Sequence, residues 1–399
     1  MRILYICSAD LSGTLGSEGS VRHIMEVSEN LCRRGHSVTL LAPGYTHYRH
    51  PTPVRIVYVP LIDIRFLRTI MSELLAPFFM AWLFLSFKPE IVYWRQSYLT
   101  VFPVLLSRLC GRHIVTEVNG LTLDEIESEP LHPARKKVIL LIERFNYLLS
   151  SKLICVAPKI RDCIVSHYRL KPQSVAVILN GVNADRMTQM DTAEAKKTIG
   201  IDPEVKAVGF VGHLFPWDGV EHLIESAAKV IQKIPHVKFV IVGHGKWGTH
   251  LADLVEQKNL ADYFMFTGKV PWENLYRYVN AFDIATAPYS KTINTRSGRS
   301  SLKILEYFAC EKPVVASETS VIPEIVDLQE KGFGVTVPSE NPEALADALI
   351  ALLKDEALRA KMGKGGREYV LRERSWTIVA QKTEEILSSM KARVPTNIS

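Results

Sequence analysis

KAVGFVGHL, residues 206–214, is a short apolar run that ends in glycine and histidine. Residues 237–245, VKFVIVGHG, repeat that arrangement, and a helix from about Val220 to Lys233 is predicted between the two runs. An apolar run of this length, rich in β-branched and aromatic residues, is typical of a strand buried on both faces. Two such strands joined by a helix favour a parallel sheet.

The same alternation of apolar runs and helix-length segments continues through the rest of the chain. The further strands that it predicts in the second half are residues 264–266, 282–288 and 312–317. Those predicted in the first half are residues 2–9, 54–59, 90–94, 113–117 and 153–156, together with a strand that begins within RGHSVTLLAP, residues 34–43, after a helix that closes at Gly35. Two successive series of similar length predict an α/β chain with two Rossmann-like domains, each a doubly wound parallel sheet.

The boundary between the two series is predicted near residues 177–187, VILNGVNADRM. We therefore expect an N-terminal domain at residues 1–180 and a C-terminal domain at residues 181–375. The end of the chain, residues 376–399, has the pattern of a long amphipathic helix and is expected to pack back towards the first domain. Because no low-complexity linker separates the two series, we expect the domains to face each other across a cleft.

The composition is that of an ordinary α/β enzyme. The chain has 399 residues, enough for two cores, of which 47% are hydrophobic and 23% charged. Its six cysteines are scattered singly, without CxxC pairs or clusters with histidine, so we expect reduced core thiols in a cytosolic protein. The opening run, MRILYICSAD, is too short for a signal peptide and agrees with a cytoplasmic location.

Positive charge is concentrated in the first half of the chain. The net charge is +6, and residues 1–180 hold 21 Lys and Arg against 14 Asp and Glu, whereas the remainder holds 27 against 28. Two interpretations are open: ordinary scatter, or a face that meets anionic lipid or an acidic acceptor. The sequence has no zinc-ligand spacing and no basic-aromatic ribbon, so nucleic acid is not expected as a partner.

One uncharged segment, residues 74–87 with the sequence LLAPFFMAWLFLSF, could be mistaken for a membrane span. Its length falls short of the roughly 20 residues that a spanning helix needs, and Pro77 interrupts it. We predict a helix that packs in the core. The alternative is interfacial contact, which would make the protein peripheral on the inner face of the cell membrane.

Ligands of doubly wound sheets bind beyond the carboxyl ends of the strands. The loops predicted at that edge are residues 9–20, 119–121, 212–219 and 296–303. The first contains Gly13, Gly16 and Gly19, small residues that let backbone amides approach a phosphate. The third begins with Gly212 and His213, and the histidine can donate to a phosphate. For either loop taken alone, a plain connection is an equally good interpretation.

The fourth loop lies within TRSGRSSLKILE, residues 295–306, where basic residues crowd the start of a predicted helix. Cations there oppose the helix dipole, and a bound anion would relieve that conflict. A diphosphate on the amides of residues 298–301, with Glu306 accepting from ribose hydroxyls, would make a nucleotide site; the alternative is a salt bridge from Glu306 to a neighbouring base. The candidate ligand-binding residues here are Arg296, Gly298, Arg299, Ser300, Ser301, Leu302, Lys303 and Glu306.

Taken together, these motifs resemble the retaining glycosyltransferases of family 4, which have the GT-B fold. The resemblance extends over nearly the whole chain, through RRGHSVTLLAP, ILNGVN, DGVEHLIESAA, FVIVGHG, SLKILEYFACEKPVVAS and GFGVTVPSENPEALADALIALLKD. It implies that the second domain holds a nucleotide-sugar, linked to UDP or GDP, and that a glycan or lipid-linked acceptor binds mainly to the first. Glu306 then matches the glutamate that contacts the donor's ribose, and Gly19 matches a glycine near the donor phosphate.

The chain departs from the family pattern at four positions. The family often has two glutamates spaced E-x7-E, and the earlier position is Gly298 here. The basic residue after the strand-ending glycine is His213, and the lysine usual before G-V is Asp218. The histidine often found after the fifth strand is replaced by Asn119. The usual diphosphate cations are therefore missing and must be replaced from elsewhere.

The resemblance implies transfer of a hexose from a nucleotide-diphosphate sugar to an acceptor hydroxyl, with retention and with neither a metal nor a cofactor, as in polysaccharide biosynthesis. Its candidate catalytic residues are Glu306, Asn119 and His213, and the cations that would replace the missing ones are Arg296, Arg299 or Lys303. Because of the departures, two alternatives stay open. One is a non-catalytic GT-B partner subunit that binds a sugar nucleotide or glycan, and the other is a sugar-nucleotide epimerase.

Overall fold

The computed structural model describes most of the chain. The described residues are 1–9, 11, 18–44, 48, 51–61, 64–97, 99–122, 132–291 and 298–391. They form two compact units: one comprises Met1–Asn180 together with the segment from Trp376 onward, and the other comprises Gly181–Ser375. Each unit is built on one parallel sheet flanked by helices, which confirms the predicted α/β class.

The first unit has a sheet of seven parallel strands. They are β1 (Arg2–Ile6), β2 (Ser37–Pro43), β3 (Arg55–Val59), β4 (Ile91–Arg95), β5 (His113–Val118), β6 (Lys152–Cys155) and β7 (Val175–Val177). Their spatial order is β3-β2-β1-β4-β5-β6-β7. In the interior strand β1, Ile3, Leu4 and Tyr5 are completely buried, because both faces of the sheet are covered.

The helices described between these strands lie in two layers. They are α1 (Glu18–Arg33), α2 (Arg65–Ser86), α3 (Phe102–Leu109), α4 (Pro133–Leu149) and α5 (Pro158–Tyr168). After β3 the chain crosses to β4 and continues towards the opposite edge of the sheet. Because parallel crossovers are right-handed, α2 to α5 cover the face opposite α1. Within that layer α2 lies beside α3, and α3 beside α4.

The uncharged segment at residues 74–87 forms most of α2, and the helix continues through Pro77. Met80 and Leu83 are buried against the sheet, as the core-packing prediction requires. The opposite side of the helix exposes large apolar side chains such as Phe78, so that prediction holds for one face only. In the part of the chain that the structure describes, no helix has the length and apolarity to cross a membrane.

The second unit has a sheet of six parallel strands. They are β8 (Lys206–Val211), β9 (Val237–Val242), β10 (Phe264–Gly268), β11 (Ile284–Ala287), β12 (Val314–Ser317) and β13 (Gly334–Val337). Their spatial order is β10-β9-β8-β11-β12-β13. The described helices are α6 (Thr192–Thr198), α7 (Val220–Lys233), α8 (Gly248–Gln257), α9 (Trp272–Ala281), α10 (Leu302–Ala309), α11 (Pro323–Lys331), α12 (Pro342–Lys354) and α13 (Glu356–Glu373).

The C-terminal helix, Trp376–Lys391, packs against α1 in the first unit. The ring of Trp376 meets the ring of His23 edge-on, with 5.2 Å between their centres. Glu384 pairs with Arg34 just beyond the end of α1. Leu387 is completely buried, so the helix belongs to the core of this unit. The first unit is therefore assembled from both ends of the chain.

All six cysteines are free thiols. Cys7, Cys155 and Cys310 are buried, as expected for core residues. Cys110, in contrast, is exposed, and the prediction that the thiols lie in the cores is wrong for this residue. Its position explains the difference, because it ends α3 at the turn into β5 and so lies outside both elements.

Candidate functional site

A lysine side chain lies over the loop at the carboxyl end of β8. Gly212 follows this strand with a φ of +155°, and a Cβ atom at this position would lie 2.7 Å from Lys303 Nζ. Glycine therefore leaves the space that the ammonium group occupies. The Nζ atom lies 4.2 Å from the ring centre of Phe210 and 5.1 Å from that of Tyr289, and both rings attract a cation.

The counter-charge of this lysine is Asp218. Lys303 Nζ lies 2.8 Å from Asp218 Oδ1, and the two side chains are only 12% and 8% exposed. Asp218 ends a short 3-10 turn, Pro216–Asp218, just before α7. The position where the family pattern usually has a lysine thus carries an acid, and that acid holds a lysine supplied by α10.

Tyr307 ties α10 to the ends of two strands. Its hydroxyl accepts from the Val211 amide at 2.8 Å and donates to the Thr286 carbonyl at 3.3 Å. Burial raises the pKa of Tyr307 well above its ordinary value, so the hydroxyl stays protonated and keeps its donor role. Tyr307, the residue directly after Glu306, therefore fixes the helix that carries Glu306.

The chain before α10 is held by Glu324, a completely buried carboxylate at the start of α11. It accepts from the Ser300 hydroxyl at 2.6 Å and from the Ser301 amide at 2.8 Å, and it pairs with the buried Arg374. The Ser301 hydroxyl is 2.8 Å from the Tyr289 hydroxyl. A role for the Ser301 amide in phosphate binding stays a prediction, and it would require the amide to exchange Glu324 for the ligand.

The other predicted donor residues of this region lie on α10 or directly before it. Glu306 is in the middle of the helix and only 5% exposed. Gly298 is buried and has a φ of +63°. Arg296 lies outside the described residues, so its predicted role is untouched by the structure. The half-buried residues at the start of the helix are Arg299, Ser300, Leu302 and Lys303.

His213 lies in the loop after β8, beside the loop after β9. The Leu214 amide donates to the His244 carbonyl at 3.0 Å, which joins the two loops. The ring of His213 is 5.1 Å from that of His244 and 5.7 Å from that of Phe215, measured between centres. The predicted residue is therefore half-buried in an aromatic surrounding at the same sheet edge as Lys303.

In the first unit, Asn119 follows β5 and belongs to a network around Glu117. Its side-chain amide donates to Glu117 Oε1 at 2.6 Å, and its oxygen accepts from Arg95 at 2.9 Å. Arg95 also lies 3.0 Å from Glu117 Oε1, and His23 Nε2 lies 2.9 Å from the same oxygen. The Tyr93 hydroxyl donates to the other carboxylate oxygen. These contacts fix both the position and the orientation of Asn119.

Glu117 is ionised although it is only 1% exposed. Burial alone would raise its pKa, but the charge of His23, the hydrogen bond from it and the charge of Arg95 together hold the pKa of Glu117 well below its usual range. The Tyr93 hydroxyl faces this anion and is itself buried, and both effects raise the pKa of Tyr93. Glu117 therefore supplies a negative charge within the network, and this charge orients Arg95 and Asn119.

Asn119 and Arg95 also line a cavity of about 400 Å³. Its lining is polar and consists of Ser8, Ser20, Arg95, Gln96, Ser97, Asn119, Gly120 and Thr122. Gly19, the predicted phosphate-proximal glycine, lies in the first turn of α1 next to Ser20. Gly13 and Gly16 of the same loop lie outside the described residues. The cavity has donors and acceptors suited to a polyhydroxylated ligand.

Three buried charged residues of these networks escaped the sequence reasoning: Glu117, Glu324 and Arg374. Glu117 stands in the apolar strand HIVTEV, where an acid needs partners, and that signal could have flagged it. Glu324 and Arg374 offered no such signal. They are separated by 50 residues, and only the folded chain brings them together.

Two family models match the chain. The model described as Glycosyltransferase Family 4 matches residues 17–186, and the model described as Glycosyl transferases group 1 matches residues 191–369. Together they span most of both units. A relative along nearly the full length is an uncharacterised glycosyltransferase of Methanocaldococcus jannaschii, which is 23% identical over 92% of this chain and 93% of its own.

Solved structures share the fold over the whole chain. The sucrose-phosphate synthase of Thermosynechococcus elongatus superposes with a TM-score of 0.79 at 18% identity, covering 99% of this chain and 100% of the other. The Anabaena protein HepE, solved in complex with UDP, superposes with a TM-score of 0.74 at 17% identity, covering 98% and 100%. The two family models show that this protein belongs to the family 4 glycosyltransferases, and the superpositions show its GT-B fold, as its sequence motifs predict.

Proposed function

We propose that the protein transfers a hexosyl group from a UDP- or GDP-linked sugar to a hydroxyl of a glycan or lipid-linked acceptor, with retention at the anomeric carbon. The observation that carries this proposal is the shielded Lys303 ammonium at the carboxyl edge of the second sheet, on the same helix as the buried Glu306. The complex of HepE with UDP supports a nucleotide donor for a protein of this fold.

Lys303 would stabilise the leaving group. When the bond between the anomeric carbon and the phosphate oxygen breaks, the departing nucleoside diphosphate gains negative charge. The Lys303 side chain is only 12% exposed, and a charge with little water around it interacts more strongly with a phosphate. Asp218 would keep this ammonium charged and in place. Lys303 and Arg299, rather than a metal ion, would stabilise the diphosphate.

Glu306 would bind the ribose of the donor. A carboxylate can accept hydrogen bonds from two vicinal hydroxyls at once, and such charge-assisted bonds are stronger than neutral ones. The helix that carries Glu306 is fixed by Tyr307 to β8 and β11, so the acid would be held in advance of binding. His213, at the same edge, is a proposed contact of the diphosphate or the sugar.

The polar cavity of the first unit would receive the acceptor or the transferred sugar. Asn119 is the proposed contact there, because Glu117 and Arg95 hold its amide in one orientation. An amide can donate to one sugar hydroxyl and accept from another. Gly19 is proposed to leave space near the donor phosphate, as the family resemblance implies.

A donor panel tests the reaction. The purified protein is incubated with UDP-, GDP- and dTDP-sugars and with glycan or lipid-linked acceptors, and release of nucleoside diphosphate is measured with and without EDTA. We expect turnover with one donor, unaffected by EDTA, and a product whose anomeric configuration by NMR equals that of the donor. Binding without turnover on any acceptor would support a non-catalytic subunit, and a product formed from the sugar nucleotide alone would support an epimerase.

A substitution tests the assigned residue. Glu306→Ala is expected to weaken donor binding by about 1–3 kcal/mol, or roughly 5- to 150-fold in Kd, because a charged hydrogen bond is lost. Glu330→Gln removes an exposed acid from α11 and serves as the control. A folded Glu306→Ala protein with unchanged donor affinity would reject the ribose-binding role.

A further inference from the structure

The first unit exposes large apolar side chains along α2. Phe78 and Leu85 are 74% and 77% exposed, and Leu74 and Trp82 are also on the solvent side. The spacing of three to four residues places all four on one side of the helix. Met80 and the other buried residues of α2, which pack on the sheet, lie on the opposite side of the helix. Exposed leucines occur on many surfaces singly, but a continuous row of this length is unusual.

The two neighbouring helices extend this apolar surface. On α3, Leu109 is 81% exposed, and Leu105 is exposed on the same side of the helix one turn earlier. On α4, Leu141 is 68% exposed. Because α2 lies beside α3 and α3 beside α4, the three rows belong to one layer of the unit. We call the solvent side of α2, α3 and α4 the outer helical surface. Its other exposed apolar residues are Ile70, Val138, Phe145 and Leu148.

The charges on the outer helical surface have a single sign. The three helices contain two acids, Glu73 and Glu143, and neither is exposed. Glu73 accepts from the Thr100 hydroxyl, and the buried Glu143 accepts from the Tyr147 hydroxyl at 2.8 Å. The exposed bases on these helices or at their ends are Lys88, Arg108, Arg112, Arg135, Lys137 and Arg144. The surface is therefore apolar and cationic in the part of the chain that the structure describes.

The combination of apolar side chains and positive charge on the outer helical surface favours one kind of binding partner over another. A second copy of the chain would bring the same bases face to face across a two-fold axis, and like charges at an interface are unfavourable. An anionic bilayer offers negative head groups to the bases and an acyl boundary to the apolar side chains. None of the described helices is long and apolar enough to cross the bilayer, so contact would stay at the interface.

We propose that the outer helical surface docks on an anionic membrane, with Phe78, Leu85 and Leu109 entering the head-group region and the bases binding the lipid phosphates. The docking stands independently of the proposed sugar transfer, because it involves neither Lys303 nor Glu306. It would keep the first unit at the surface where lipid-linked acceptors are found.

Co-sedimentation with vesicles tests the docking. The full chain is mixed with vesicles of phosphatidylcholine alone, or of phosphatidylcholine with phosphatidylglycerol, at low and at high salt. We expect binding to the anionic vesicles only, reversed by salt because the bases are screened. Failure of the unaltered protein to bind anionic vesicles at low salt would overturn the proposal, and equal binding to both kinds of vesicle would overturn its electrostatic part.

Paired variants separate the two contributions. Phe78→Ser with Leu85→Ser should weaken vesicle binding at least tenfold, because the apolar contact is lost. Leu371→Ser, an exposed leucine of the second unit, is the control. Replacing Arg135, Lys137 and Arg144 with glutamine should weaken binding and flatten its salt dependence, whereas the same change at Lys354, Lys361 and Lys364 in the second unit should not.

Two further measurements control for the folding of the variants and for their oligomeric state. The thermal unfolding of each variant shows that it is folded, and the changed side chains are exposed, so we expect little change. Light scattering reports the oligomeric state. If the unaltered protein is a dimer that Phe78→Ser with Leu85→Ser dissociates, while vesicle binding is unchanged, the outer helical surface is an interface between copies and the membrane proposal is wrong.

Discussion

Glu117 in the first unit and Lys312 in the second are both almost fully buried, yet burial affects their charges differently. Glu117 contacts Arg95 and His23, and its pKa is lowered, which favours the charged carboxylate. Lys312 donates to the Thr192 hydroxyl at 2.8 Å, and burial lowers its pKa to about 8, which favours the neutral amine. Among the described residues, no carboxylate forms a salt bridge with Lys312.

The difference shows what a buried charge needs. Both groups have lost water, but Glu117 has received opposite charges in direct contact, whereas Lys312 feels the charge of Asp283 only from farther away. A neutral hydroxyl does not compensate for the lost hydration of an ammonium group. Direct contact with an opposite charge thus decides whether the charged form of a buried group becomes more or less favourable than in water. Substitutions of these groups test this conclusion, from the largest expected effect to the smallest.

The largest effect is expected for Glu117→Gln. The substitution leaves Arg95 and His23 without their carboxylate, and breaking a buried pair in this way costs about 4 kcal/mol of unfolding free energy. Urea unfolding at pH 7 measures the loss. Glu385→Gln, which changes an exposed acid of the C-terminal helix, is the control and should have little effect.

The same variant has a pH signature. Because the pKa of Glu117 is lower in the folded than in the unfolded chain, its stabilisation is complete above the ordinary carboxyl range and is lost as the pH falls through that range and below it. The difference in stability between the unaltered protein and Glu117→Gln should therefore shrink on acidification. A difference that stayed constant from pH 7 to the acid limit would show that the carboxylate contributes shape rather than charge.

Lys303→Met should have the next largest effect, because it strands the shielded Asp218 carboxylate. We expect a loss of about 3 kcal/mol in stability together with weaker donor binding. The double variant Lys303→Met with Asp218→Asn removes both charges, so stability should recover while donor affinity stays low. Recovery of donor affinity in the double variant would show that Lys303 has no role in binding the diphosphate.

Lys312→Met should change the alkaline behaviour. Between about pH 8 and the ordinary lysine range, the unfolded chain binds a proton that the folded chain has released, so this lysine makes stability rise with pH in that window and contributes no slope below it. Relative to the variant, the unaltered protein should gain roughly 2 kcal/mol between pH 7 and 9.5. Taking the difference between the two proteins cancels the titration of groups that do not interact with Lys312.

The smallest effect is expected for Thr192→Asp, which would give Lys312 the counter-charge that it lacks. A carboxylate in the place of the hydroxyl should raise the pKa of Lys312 and so reduce the alkaline gain by about 1 kcal/mol. Thr198→Asp adds the same charge to an exposed position of the same helix and is the control. If both variants keep the full gain, contact with a counter-charge is not what governs the ionisation of Lys312.

The sequence predicts more of the fold than of the site. An apolar run such as VKFVIV, which forms β9, can be predicted as a buried strand because the signal lies in consecutive residues of the sequence. The salt bridge of Lys303 with Asp218 links residues 85 positions apart, and the contact of His23 with Glu117 joins α1 to β5. Such pairs depend on strand order and helix placement, which local patterns do not specify.

The rule that ligands bind beyond the carboxyl ends of parallel strands placed Gly212 and Lys303 in loops at one edge, and the family resemblance added the expectation that Glu306 contacts the donor's ribose. The resemblance also showed that Asp218 stands where the family usually has a lysine. In the structure Asp218 pairs with Lys303 of α10, so a positive charge lies beside the position where the family usually has a lysine. The distance between these two side chains, and not the sequence pattern, reveals this pairing.

The C-terminal helix has a consequence for biosynthesis. It completes the core of the first unit, but the ribosome synthesises it only after every residue of the second unit. During translation the side of α1 that carries His23 lacks its covering partner Trp376. We therefore expect the nascent first unit to stay protease-sensitive until the C-terminal helix has left the ribosome, a property that stalled ribosomes of graded length would reveal, while the second unit folds ahead of it.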